Sequence, residues 1–126
     1  KNKIISHFKD SLNLKDYGIH NLERVDYPEY ALRICDAIED NTIKFGILIC
    51  DTGIGMSIAA NRKSYIRAAL CSNSNIAQIA RQHYDANVLV LSSYQNDIND
   101  TFLMVEKFIK SSFEGGRYST RLNKIH

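Results

Sequence analysis

The sequence has no CxxC pair, no block of like charge, no apolar run of membrane-spanning length and only one proline, Pro28. Each absence removes a class of protein. Three cysteines, Cys35, Cys50 and Cys71, odd in number and without metal-ligand or redox spacing, exclude a disulfide framework and read as free thiols. Sixteen basic and fourteen acidic side chains leave a net charge of +2 spread along the chain, so nothing points to nucleic acid and any partner is expected to be small. The longest apolar run, residues 45–50, falls far short of the about 20 residues that cross a bilayer. The charged first residues do not make a signal peptide, so a cytoplasmic protein with no membrane partner is expected. A chain of 126 residues, 44% hydrophobic, suits one core, and residues 1–126 read as a single domain.

What is present alternates between two periods. Residues 2–14 carry Ile4, Ile5, Phe8 and Leu12 at helical spacing. Residues 28–40 do the same with Tyr30, Ala31, Ile34, Cys35 and Ile38, and Pro28 suits a helix's first turn. FGILIC (45–50), IRAALC (66–71) and NVLVLS (87–92) are short apolar runs with almost no polar alternation, as in strands covered on both faces of a parallel sheet. Helical stretches lie between them at about 56–63 and 74–84. Ile98, Phe102, Val105, Phe108 and Ile109 mark a last helix, expected to end at Gly115-Gly116 ahead of a short basic tail. The order predicts an α/β fold, a three-layer, doubly wound parallel sheet of Rossmann-like type.

In such sheets ligands bind beyond the carboxyl ends of the strands. GILICDTGIGMSIAAN (46–61) crosses one of those ends. Thr52, Gly53, Ile54 and Gly55 follow the strand directly, and glycines there let backbone N–H groups turn toward an oxyanion at the start of the next helix. The partial positive charge of a helix N-terminus favours a thiolate, and Cys50 lies just ahead of one, so it could act as a base. The plainer reading is inert packing for Cys50, as for Cys35 and Cys71, and a tight turn for DTGIG, which lacks the P-loop lysine and the full dinucleotide fingerprint. Two readings likewise stand for His83, a structural hydrogen-bonder or a catalyst. Arg117 and Arg121, at i and i+4, are either a phosphate clamp or a solvated face. His7, His20 and His126 have no motif around them.

Three segments taken together carry more than any one of them. ILICDTGIGMSIAANRKSYIRAALC (47–71), AQIARQHYDANVLVLSS (77–93) and SSFEGGRYSTRLNKI (111–125), with VDYPEYA (25–31), resemble the sugar-phosphate isomerase family that contains ribose-5-phosphate isomerase B and galactose-6-phosphate isomerase. The resemblance spans nearly the whole chain. It implies aldose–ketose isomerisation of ribose 5-phosphate and ribulose 5-phosphate through a cis-enediolate, without metal or organic cofactor. It makes Cys50 the base, has Thr52, Gly53 and Gly55 stabilise the enediolate with Ser57 and Asn61 close behind, gives His83 the opening of the furanose ring, and leaves Arg117 and Arg121 to hold the phosphate. Relatives without this cysteine use a glutamate on the following helix, where Ile58 and its neighbours offer no carboxylate. The resemblance also implies a homodimer or a pair of dimers with shared active sites, the histidine segment of one subunit completing the pocket of another.

Departures from the family pattern are specific. The sequence starts at KNKIISHFKDSL, within the first helix, so the family's first strand is expected to be absent from it. The stretch at 19–24 is short, and HNLER reads as a join, with the missing pieces expected to be mobile active-site segments rather than deletions. Asp51 stands where the family has glycine, Tyr84 where it has asparagine and Tyr94 where many members have arginine. These three substitutions keep open a non-catalytic sugar-phosphate-binding homologue, or an isomerase of a six-carbon sugar phosphate.

Overall fold

A computed structural model describes residues 1–18 and 26–125. The proposed join at 20–24, His20 and His126 lie outside those residues. Six helices, α1 (Asn2–Phe8), α2 (Tyr27–Glu39), α3 (Ile54–Asn61), α4 (Ser74–Tyr84), α5 (Ile98–Lys110) and α6 (Arg117–Leu122), surround three parallel strands, β1 (Gly46–Cys50), β2 (Ala68–Leu70) and β3 (Val88–Ser92). The strand order is β1-β3-β2, so β3 is paired on both sides.

Every residue of β3 is buried. Its side chains alternate between two cores. Leu89 and Leu91 join Ile4, Phe8, Ala77, Met104, Val105 and Phe108 on the face covered by α1, α4 and α5. Val88 and Val90 join Ala31, Ile34, Cys35, Met56 and Ala60 on the face covered by α2 and α3. Right-handed crossovers explain why the helices divide this way. The chain steps from β1 past β3 to β2 and then back, so successive crossovers advance in opposite directions and lie on opposite faces. β2, beside β3 alone among the described residues, is only partly covered, and Leu70 is 39% exposed.

Two expected boundaries move. The apolar pattern of residues 2–14 is helical only to Phe8, because the N–H groups of Ser11 and Leu12 and the Ser11 hydroxyl all close on the Phe8 carbonyl. Leu12 and Leu14 still pack on the core. The last long helix ends at Lys110, where Ser111 turns extended and its hydroxyl takes the Lys107 carbonyl. Gly115 and Gly116 therefore do not stop α5. They turn the chain into α6 at φ +69° and +57°, angles that a Cβ resists. Arg117–Leu122 of the basic tail is helical.

The α4–β3 connection is closed by charge. Arg81 is 6% exposed, its guanidinium lying over Phe45 at 4.6 Å and donating to the Asp85 carboxylate (3.1 Å) and the Ala86 carbonyl (2.6 Å). Arg67 reaches the same aspartate from the start of β2, donating to its carbonyl at 2.7 Å and its carboxylate at 3.2 Å. Asp85 → Ala should cost about 2–3 kcal/mol, because a buried guanidinium loses its counter-charge. Urea unfolding checks this, and an unchanged midpoint would mean the cluster contributes nothing.

Candidate functional site

β1 and β3 are adjacent, yet their outgoing connections leave to opposite faces, β1 to α3 and β3 to α5. A crevice at such a switch point is where doubly wound sheets place their ligands. Cys50 is the last residue of β1 and lies opposite Ser92 in the register. The turn beyond it is tied to the end of β3: the Ser93 N–H donates to the Cys50 carbonyl, while the Ser92 hydroxyl and the Tyr94 N–H donate to that of Asp51.

The thiol of Cys50 is half-buried and receives the Gly53 N–H at 3.0 Å. That donor comes from the N-cap of α3. Gly53 achieves this at φ +79°, and a Cβ there would lie 2.4 Å from the Leu70 side chain. Thr52 is exposed, its hydroxyl accepting the Ile54 N–H at 3.2 Å. Gly55 lies under the ring of Tyr27, which a Cβ would meet at 2.6–2.8 Å. Tyr27 thus belongs to this end of the sheet, and sequence patterning alone had no means of placing it there. Ser57 follows in α3, its N–H bonded to the Gly53 carbonyl. The Asp51 side chain is solvent-exposed, which weakens its field at the sulfur.

The structure does not bring Asn61 to this loop. It ends α3 at the other end of the sheet, and both its amide atoms are taken by the Ala68 backbone, at 2.9 and 2.8 Å. It registers α3 against β2.

His83 is also at that opposite end. It lies in the last turn of α4, just before β3 begins, whereas Cys50 is level with the end of β3. Four rises of about 3.3 Å separate the ends of a five-residue strand, so Cys50 and His83 of one chain lie at opposite ends of the sheet. His83 meets the predicted arginines instead. Its imidazole stacks on Tyr118 at 4.1 Å and 9°, and its Nε2 is 3.6 Å from the Glu114 carboxylate. The guanidinium carbons of Arg117 and Arg121 lie 5.0 and 5.8 Å from the centre of the same phenol ring. Arg117 donates to the Tyr118 hydroxyl at 2.9 Å, a hydrogen bond that raises the guanidinium above its ordinary pKa. Both arginines are exposed. Tyr118 and Glu114 had no chemical signature in the sequence.

Among the described residues, no three His, Cys, Asp or Glu side chains converge as metal ligands, and no helix is long and apolar enough to cross a membrane. The other two thiols are buried. Desolvation pushes Cys71 up to about 11 and raises Cys35, the latter helped by the nearby charge of Asp36.

Comparison with known proteins gives a consistent result. The family described as Ribose/Galactose Isomerase matches residues 1–125. Ribose-5-phosphate isomerase B of Escherichia coli is 38% identical over 126 residues, covering 99% of this chain and 85% of that one. The crystal structure of a ribose 5-phosphate isomerase from Thermotoga maritima superposes with a TM-score of 0.94 at 42% identity, covering 98% of this chain and 86% of that one. Ribose-5-phosphate isomerase B from Mycoplasma genitalium, solved with bound ribulose-5-phosphate, gives 0.92 at 40% identity, with 99% and 84% coverage.

Iodoacetamide near neutral pH should alkylate Cys50 of the native chain well ahead of Cys35 and Cys71, as peptide mass mapping would show. Earlier labelling of either buried thiol would remove Cys50 as the reactive one.

Proposed function

Since the chain belongs to the ribose/galactose isomerase family, we propose that it interconverts ribose 5-phosphate and ribulose 5-phosphate through a cis-enediolate, with Cys50 as the base. The observation that carries this reading is the half-buried Cys50 thiol at the sheet's switch point, with the Gly53 N–H aimed at its sulfur. In the open-chain sugar the thiolate takes the proton from C2 and the enediolate forms; the C2 hydroxyl proton passes to O1, and the thiol delivers its proton to C1 as C2=O forms. The developing charge on oxygen needs donors that the loop has not already used. Gly53 is committed to the sulfur, but the N–H groups of Gly55 and Met56, in the first turn of α3, have no partner within the helix and suit that role. The Thr52 hydroxyl lies beside them. This chemistry asks only for side chains and backbone of the protein.

Arg117 and Arg121 hold the phosphate in this reading, and His83 opens the furanose ring. Because His83 and Cys50 stand at opposite ends of one sheet, the working unit is at least a dimer in which each pocket takes Cys50 from one chain and His83 from its partner. The Cys50 end carries exposed apolar side chains for such a partner to cover, Ile54 at 56% and Tyr27 at 49%. Tyr94, 74% exposed, lies at this end, and Tyr84, 57% exposed, lies beside His83. Both are therefore placed to tune sugar preference.

Cys50 → Ala should lower ribose 5-phosphate turnover by about 10²–10⁴-fold while sugar-phosphate binding persists. A parent protein that binds the sugar phosphate without turnover would establish the binding-protein alternative, and turnover confined to six-carbon sugar phosphates the other. Co-expressing Cys50 → Ala with His83 → Ala tests the shared pocket. Random pairing of two inactive chains should restore about a quarter of parental activity, since half the dimers then hold one intact pocket. No recovery in purified mixed dimers would place both residues of a pocket on one chain.

A further inference from the structure

Glu114 belongs to the segment between α5 and α6, and its N–H donates to the Gln82 carbonyl at 2.9 Å, which ties that segment to the last turn of α4. Its carboxylate is thereby carried to the Nε2 edge of His83, at 3.6 Å, while Tyr118 covers the face of the ring at 4.1 Å. The imidazole is only 30% exposed although it lies at a helix end. One neighbour constrains its edge and the other its plane. The groups gathered around it are Glu114 from the connecting segment, Tyr84 from α4, and Tyr118 with Arg117 and Arg121 behind it from α6.

We propose that Glu114 and Tyr118 are positioning residues that hold His83 with its Nε2–H toward the carboxylate and its bare Nδ1 toward the substrate. The inference rests on the reading of His83 as the ring-opening group. A carboxylate on one imidazole nitrogen selects the tautomer and leaves the other nitrogen as acceptor. One nitrogen then suffices for the step. Nδ1 takes the proton from the anomeric hydroxyl as C1=O forms and the bond from C1 to the ring oxygen breaks, and the same proton passes from Nδ1 to that oxygen. The imidazole ends neutral, as it began. Tyr118 also joins the histidine to the phosphate arginines, so that the reacting nitrogen and the phosphate anchor are presented as one rigid unit.

The test separates ring opening from proton transfer. Ribulose 5-phosphate is acyclic, so exchange of its C1 hydrogen with D2O needs Cys50 and the enediolate donors but no ring opening. Glu114 → Ala should reduce kcat for ribose 5-phosphate by tenfold or more, with KM within about twofold of the parent and the exchange rate within about twofold. Glu114 → Gln, whose amide oxygen keeps an acceptor beside Nε2, should recover most of the loss. Equal loss of turnover and exchange, a change in KM alone, unchanged turnover, or a glutamine variant as poor as alanine would each overturn the proposal. NMR of His83 supplies a readout that does not depend on activity: its ring protons should carry the upfield shift of the Tyr118 stack in the parent and lose it in Glu114 → Ala and Tyr118 → Ala. A parent with the shifted resonances but neither turnover nor exchange overturns the isomerase reading and leaves the clamp standing. Unshifted parental resonances overturn the clamp whatever the activity.

Discussion

Cys50 is placed by the pairing of β1 with β3, and the loop beyond it takes its position from that pairing. β3 is buried over its whole length, with valines turned to one core and leucines to the other, so it cannot slip by one residue without exchanging the two sets. The register sets Cys50 opposite Ser92, and three hydrogen bonds from residues 92–94 then hold the turn beyond the cysteine. Only with that turn held does the Gly53 N–H point at the sulfur. β1 also lies tight against α2, since a Cβ on Gly46 would come within 2.3 Å of the Ile34 side chain.

The same parallel arrangement divides the functional residues. Each crossover helix runs back along the sheet, so what a helix carries in its first turn lies at the strands' carboxyl ends and what it carries in its last turn lies at their amino ends. Gly55 lies in the first turn of α3, while His83 lies in the last turn of α4. The loop with the thiol and the cluster with the imidazole and arginines are consequently two halves, each well formed by itself. The thiol loop and the imidazole cluster therefore lie at opposite ends of the sheet within one chain.

The amino-end half depends on charge more than on apolar packing. Arg81, buried under Phe45, and Arg67 converge on Asp85, which takes a left-handed backbone at φ +47° to reach both. That cluster fixes where α4 stops. The histidine two residues before Asp85 then meets Glu114 and Tyr118, which come from a segment and a helix some thirty residues on.

Much was legible from local pattern. Hydrophobic period marked the three strands and the long helices, and Pro28 marked the first turn of α2, because these signals act over a few residues and burial enforces them. The same signal overran α1, since Leu12 and Leu14 are packed without being helical. It also misjudged Gly115 and Gly116, whose positive φ serves the start of a helix as readily as its end. The residue types of the loop, CDTGIG, and of the tail, GGRYSTR, carried the resemblance to the family that the chain belongs to. The sequence by itself thus determined the elements and the kinds of groups at the site. Only the tertiary structure decided which groups meet: Cys50 with Gly53, Tyr27 with Gly55, His83 with Glu114 and Tyr118, and Asn61 with β2 rather than with the loop. Those meetings depend on strand order and helix direction, which no local spacing along the chain encodes.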